Sequence, residues 1–279
     1  MAASSIAAAG LAFAIALADG GKSVPIDRFT LKVPGAKGAL VLSLEGVDLI
    51  GGSFVTPVRL ANETDFDVLS PRIDLVSVTE TRREGGREVT HPIDASAGAA
   101  PAWDVLRSKA DVAGQLFRVS PVAFSPETSL IVVLGAVSGV AAVGSFEVEG
   151  ARNPARLDVD TASLFVTDAS GRIVRCALDG RGAAEVKQQP AQKPDSPGGP
   201  CARARLQAVA CRAAPGGGAW AIEGRELTQL DAEGRRVRSI RPGGEGLPVA
   251  LAFGPDGRLF VATAGEDGRS GSVRVFRPF

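Results

Sequence analysis

The chain has no tyrosine, one histidine, one methionine and an aromatic content of only 5%. Each shortage excludes a chemistry. With His91 alone, a multi-histidine metal centre is impossible, and any histidine-dependent triad would have to use that residue. His91 precedes a proline in the polar stretch "REVTHPID" and reads as a solvent-exposed loop residue. Scarce aromatics leave no stacking platform for single-stranded nucleic acid. Net charge is missing as well: 31 basic and 31 acidic side chains cancel. That removes the electrostatic case for a nucleic-acid partner or an anionic membrane surface. The basic runs "TRREGGRE" and "GRRVRS" are short, lie beside acids or within hairpins, and read as solvated faces.

Cysteine is nearly absent too, and the three that occur form no C-x-x-C, haem-attachment or zinc spacing. Cys176, Cys201 and Cys211 all fall in the C-terminal half. One disulfide plus one free thiol fits an oxidising compartment, and three reduced cysteines is the other reading. The N-terminus, "MAASSIAAAGLAFAIALADG", carries no charged side chain before Asp19 and ends its apolar run in Ala16-Leu17-Ala18. An apolar core followed by A-x-A has the shape of a signal peptide over 1–18, cleaved before Asp19. A retained anchor and an ordinary element of the fold are the alternatives, since a positive n-region is missing apart from the terminal amine. Processing would leave no stable membrane span, and the protein is then expected to be secreted, periplasmic or in the cell envelope.

What is present is β pattern. A chain of 279 residues with 45% hydrophobic content has room for two domains with real cores. Over residues 19–150, "DRFTLKVPGAKGALVLSLEGVDLIGG" alternates apolar and polar residues around a Pro/Gly turn, the mark of a hairpin. Strands follow around Val58–Leu60 and Ile73–Val78, with Gly85-Gly86 as a turn. This spacing predicts a β-sandwich-like domain. One helix is expected, in "PAWDVLRSKADVAGQLF" from Pro101, where Trp103, Leu106 and Val112 can share a face. Asn62-Glu63-Thr64 matches a glycosylation sequon but reads as an Asn and a Thr satisfying a tight turn.

Residues 151–279 repeat, with a Pro/Gly-rich insert at 187–203. "SLFVTDASGRIVRCALDG" places a strand, a short turn ending in Gly171 and a second strand from Ile173. Related units appear at Ala219–Ile222 with Glu226–Leu230, and in "ALAFGPDGRLFVATAGEDGRSGSVRVFRP". The turn glycines Gly217 and Gly257 are 40 residues apart, a blade-like period. "VAFSPETSLIVVLG" sits about one period upstream of Ala162, so residues 122–150 are either a fourth copy or the last sandwich strands.

Phe165, Val166, Asp168, Gly171, Ile173, Arg175, Asp179 and Gly180, with Pro255, Asp256, Gly257, Leu259, Phe260 and Val261 of the last copy, resemble six-bladed β-propeller repeats of the NHL, SMP-30 and gluconolactonase type. "VRLANETDFDVLSPRIDLVSV" is similar to the opening of bacterial immunoglobulin-like modules. These resemblances imply an all-β protein: an immunoglobulin-like sandwich followed by an incomplete set of propeller-like blades. The lactonase-like relatives gather acidic and amide side chains on a central calcium. Here Asp168 occupies such a strand end, the last copy has Thr263 instead, and no companion Glu or Asn is evident. Asp168 therefore reads as a turn former, and Asp158 and Asp160 as members of a solvated face. Neither "GAVSGVAAVG" nor "AVSGV" has the strand-to-helix context of a nucleotide loop or a nucleophile elbow.

No catalytic, cofactor-binding or metal residue is assigned. Rings usually need about four to eight blades, so three or four must be completed by the N-terminal region, a second copy or a partner. The expected function is a non-enzymatic binding or structural component of an exported or envelope-associated assembly. It would contact a protein partner or form a homo-oligomer through the C-terminal repeats, with no cofactor. The alternative is a calcium-dependent lactonase or esterase of the SMP-30-like class.

Overall fold

One five-residue turn recurs through the second half of the chain and fixes its hairpins. In it the first residue's N–H donates to the fifth residue's carbonyl, and the fourth residue, a glycine, donates back to the first. It is found at Asp168–Arg172, Ala177–Arg181, Ala214–Gly218, Asp231–Arg235 and Gly254–Arg258, with distances of 2.8 to 3.1 Å throughout. The glycine φ angles run from 79° to 95°, the left-handed region that a side chain resists. Glycine spacing thus sets where strands begin and end.

The structure is a computed structural model. It describes residues 11–16, 26–44, 48–50, 53–93, 102–119, 129–188, 199–204, 208–243, 246–267 and 270–279. Most of the leader, Pro101, the turn at 127–128 and most of the Pro/Gly-rich insert lie outside these residues. The chain divides into two compact units, residues 1–140 with Phe279, and residues 141–278.

The first unit holds β1 (Leu11–Ala16), β2 (Ile26–Leu31), β3 (Leu40–Leu44), β4 (Asp48–Ile50), β5 (Ser53–Asn62), β6 (Asp67–Glu84), β7 (Arg87–Ile93), β8 (Val105–Leu106), β9 (Asp111–Val119) and the first part of β10 (Ser129–Glu147). One sheet runs β2-β3-β5-β4 with β9 on β5, and in the other β6 is flanked by β7, β8 and β10. β1 pairs antiparallel with Ser129–Leu134 of β10. Leu40, Leu42, Leu44, Val58, Leu60, Val68 and Leu106 are fully buried or nearly so.

The expected helix at 101–117 is not there: the segment forms β8, a turn and β9. Only Ala110 bonds within the turn, its N–H donating to the Arg107 carbonyl at 3.2 Å, while the neighbouring amides bond outward. Ser108 N–H donates to Asp67 Oδ1 at 2.8 Å and Lys109 N–H to the Asn62 carbonyl at 2.8 Å. Lys109 takes φ 61°, which no helix tolerates. Leu106 is buried while Val105 is exposed, a period of two.

The second unit contains three antiparallel blades, of which the first two are separate four-stranded sheets and the third is a stretch of the eight-stranded sheet. The first is β11 (Pro154–Val159), β12 (Ser163–Asp168), β13 (Ile173–Ala177) and β14 (Ala184–Val186). A four-residue helix, α1 (Pro200–Arg203), precedes the second: β15 (Ala210–Ala213), β16 (Ala219–Glu223), β17 (Glu226–Leu230) and β18 (Arg236–Ile240). The third is β19 (Leu247–Phe253), β20 (Leu259–Ala264) and β21 (Gly271–Pro278), and its fourth strand is the end of β10. Gly139 and Phe279 exchange backbone hydrogen bonds of 3.0 and 3.1 Å where β10 and β21 meet. Of residues 122–150, those described begin at Ser129 with β10, and the end of that long strand completes the last repeat.

First and third blades share structural detail. In each, register slips just after a proline, between Pro154 and Arg156 and between Pro248 and Ala250. These two blades are joined by one core of Leu157, Leu164, Val166, Val174 and Cys176 with Ala250, Ala252, Phe260, Ala262, Val273 and Val275. β19 packs against β11 and also against β15, whereas β11 and β15 share no comparable packing among the described residues. The third blade therefore stands between the first and the second in an open arc.

Candidate functional site

Propeller-like enzymes place chemistry at strand ends, so these positions come first. β12 ends at Asp168, β16 at Glu223, and the corresponding residue of β20 is Thr263, since Asp168 lies opposite Pro154 and Thr263 opposite Pro248. Glu223 is the companion acid that the sequence did not reveal. Its blade has no proline at the place of Pro154 and carries its Asp-turn one hairpin later, at Asp231–Arg235, so that Glu223 matches Asp168 only as the last residue of the second strand.

Each of these side chains is engaged locally. Asp168 is buried at 6% exposure, and its Oδ1 accepts from Ser170 N (2.9 Å), Ser170 Oγ (2.6 Å) and Arg172 N (3.0 Å). Burial opposes its charge, but the Ser170 hydroxyl and the amides of Arg172, Ser170 and Arg152 outweigh that and hold the carboxyl below its ordinary range. It is a turn former, as its place in the repeat implied. Glu223 accepts from Thr228 Oγ1 at 3.0 Å and from Arg236 at 2.8 Å. Thr263, 2% exposed, shares a 2.8 Å hydrogen bond with the Ser272 hydroxyl.

Thr263 also lines a cleft of about 340 Å³ at the end of the β20–β21 hairpin, together with Glu147, Glu266, Asp267, Ser270 and Ser272. Asp267 Oδ1 accepts from the Ser270 amide and hydroxyl at 3.0 and 2.8 Å, and Glu266 pairs with Arg225 at 3.1 Å. Hydroxyls and carboxylates of this kind can accept hydrogen bonds from a polar or basic group. Among the described residues no three His, Cys, Asp or Glu side chains are grouped so as to hold a metal ion.

The remaining candidates are placed as follows. His91 is exposed, but it lies in β7 and not in a loop, 3.4 Å from Glu84. Asn62 is 1% exposed; its amide donates to the carbonyls of Phe66 (2.8 Å) and Leu106 (3.1 Å), and its oxygen accepts from Thr64. The sequon is thus an internal turn with no free amide to modify. Asp160 caps a turn through the amides of Ala162 and Ser163. Asp158 departs from expectation: it is buried at 6% and held by Arg156 at 2.9 Å, not on a solvated face. Beside it Arg175 lies over the Phe165 ring, 5.9 Å from the centroid. Cys201 and Cys211 form a disulfide and Cys176 is a free, buried thiol. Burial, then the nearby Asp179, push that thiol up to about 11.

No family model matches the chain, and no curated protein matches it. Among solved structures it is similar to the WD40 β-propeller domain of Doa1, at 10% identity and a TM-score of 0.20. The alignment covers 84% of this chain and 63% of that one.

Proposed function

We propose that this protein is a non-enzymatic binding or structural component of an exported or envelope-associated assembly, and that it contacts another copy or a partner protein through the blades of its second unit. The observation that carries this is the open arc. Blades that follow one another in the chain, the first and second, share no comparable packing among the described residues, whereas the third, completed by a strand from before the first repeat, packs against both. Binding between two blades is what an incomplete ring offers, and strand-end carboxylates already spent on local bonds favour contact over chemistry. The recurring Asp- and Gly-bearing turns support a repeat of the NHL/SMP-30 type, and the strand-rich first unit an immunoglobulin-like module. Export is supported by the A-x-A pattern at Ala16–Ala18 and by a disulfide, which persists in oxidising compartments. No helix among the described residues is long and apolar enough to cross a membrane.

The test is light scattering on the full chain across the micromolar range, with and without calcium, beside assays on lactone and aryl-ester substrates. The expected result is a mass above the 28.5 kDa of one chain and no calcium-dependent turnover. A strictly monomeric, stable species overturns contact with another copy and leaves the partner protein, while calcium-dependent hydrolysis overturns the non-enzymatic reading.

A further inference from the structure

The second blade has two covered faces of different kinds. On one, Trp220, Ile222 and Leu227 are buried. On the other, Ala219, Ala221 and Leu230 form a small cluster covered by Cys201, Ala204, Ala208 and Cys211. The cover is therefore the chain around α1, which has little reason to stay folded alone. It has four residues, buries none of them, has no side-chain cap at its N-terminus and no acid in its first turn. A single helical turn is unstable in isolation.

Three attachments hold it. Arg203 donates to the Ala232 carbonyl at 3.4 Å, a long bond. Gly234, in the β17–β18 turn, lies flat against α1: a Cβ there would stand 2.9 Å from Ala204 N and 3.0 Å from Pro200 O. The third is covalent. Cys211 belongs to β15, so the Cys201–Cys211 disulfide bolts the cover to the blade it covers. Both cysteines are only partly buried, whereas Cys176 is buried at 2% in the core of the first and third blades.

We propose that the Cys201–Cys211 bond is a redox-operated clasp, whose reduction by a dithiol frees α1 and bares the Ala219, Ala221 and Leu230 face of the second blade. A thiolate of the dithiol attacks one protein sulfur and expels the other as a thiolate. The second thiol then resolves the mixed disulfide. Two electrons and two protons pass to Cys201 and Cys211, which end as thiols, and the dithiol ends as a disulfide. Cys176 takes no part because no exchange partner reaches it.

Hydrogen exchange on the full chain, oxidised and then reduced in place with dithiothreitol, tests this. Thiol titration of the denatured, unreduced protein should find one free cysteine; three would overturn the proposal. On reduction, exchange over residues 219–230 should quicken on the order of 10–100-fold, the release of a short closed loop. Tryptic cleavage after Arg203 should rise in step, while β11–β13 keep their protection. Cys201→Ser should show the fast rates without reductant. Unchanged exchange at 219–230 after verified reduction, or an equal rise in β11–β13, overturns the clasp.

Discussion

A carboxylate that accepts hydrogen bonds from its own turn is committed to structure before it can serve a ligand. Asp168 is such a group, fixing Ser170 and Arg172 from a buried position at the end of β12. Asp168→Ala should cost about 2 kcal/mol at pH 7, because it strips charge-assisted bonds and strands buried amides. The pH dependence has a definite sign. The folded carboxyl titrates below its ordinary 3.8, so its stabilisation is present in full above that value. It drains away as pH falls through 3.8 toward the folded value, and is absent below it. Urea midpoints at pH 7 and pH 3 check this: the gap between native and variant should narrow on acidification. A gap that stays constant would mean that the charge contributes nothing.

Among the elements, the hairpins of the second unit were legible in the sequence because two local signals coincide there. A short apolar run marks Ala219–Glu223, apolar residues among polar ones mark Glu226–Leu230, and glycine marks the turns. The segment after Pro101 suggested a helix because Trp103 and Leu106 are three residues apart, but Val112, nine residues after Trp103, would fall on the opposite side of a helix. Its backbone is claimed by long-range partners, Asn62 and Asp67, that a local pattern cannot show. The leader raises a similar conflict. Residues 11–16 have the composition of a secretory core, yet they form β1 against Ser129–Leu134. A chain beginning at Asp19 would leave that stretch of β10, with the sequence SLIVVL, without its β1 partner. Long apolar edges invite pairing between molecules. Light scattering should therefore show faster, concentration-dependent aggregation for the Asp19 chain than for the full one. Equal behaviour would mean that β1 adds nothing to the sheet and that its loss on export is harmless.

For the molecule as a whole, the decisive feature lay beyond any repeat count. Three copies are visible in the sequence, but a strand from outside the repeats completes the third, and no period of about 40 residues reveals it. One contact ties that strand to the first blade. Phe146, on the closing part of β10, lays its ring against Gly180 in the turn before β14, where a Cβ would stand 2.7 Å from the ring Cγ and 2.9 Å from Cε2. Gly180 also holds φ 85°, so an alanine there is resisted twice. The two costs separate in a double-mutant cycle. Gly180→Ala alone should destabilise the protein by about 3 kcal/mol, from left-handed strain plus overpacking against the ring. In a Phe146→Ala background the ring is gone, and only the backbone share of about 1–2 kcal/mol should remain. Denaturant unfolding of the four proteins gives the coupling. If Gly180→Ala costs the same in both backgrounds, Phe146 does not seat on that turn, and the third blade is joined to the first by their shared core alone.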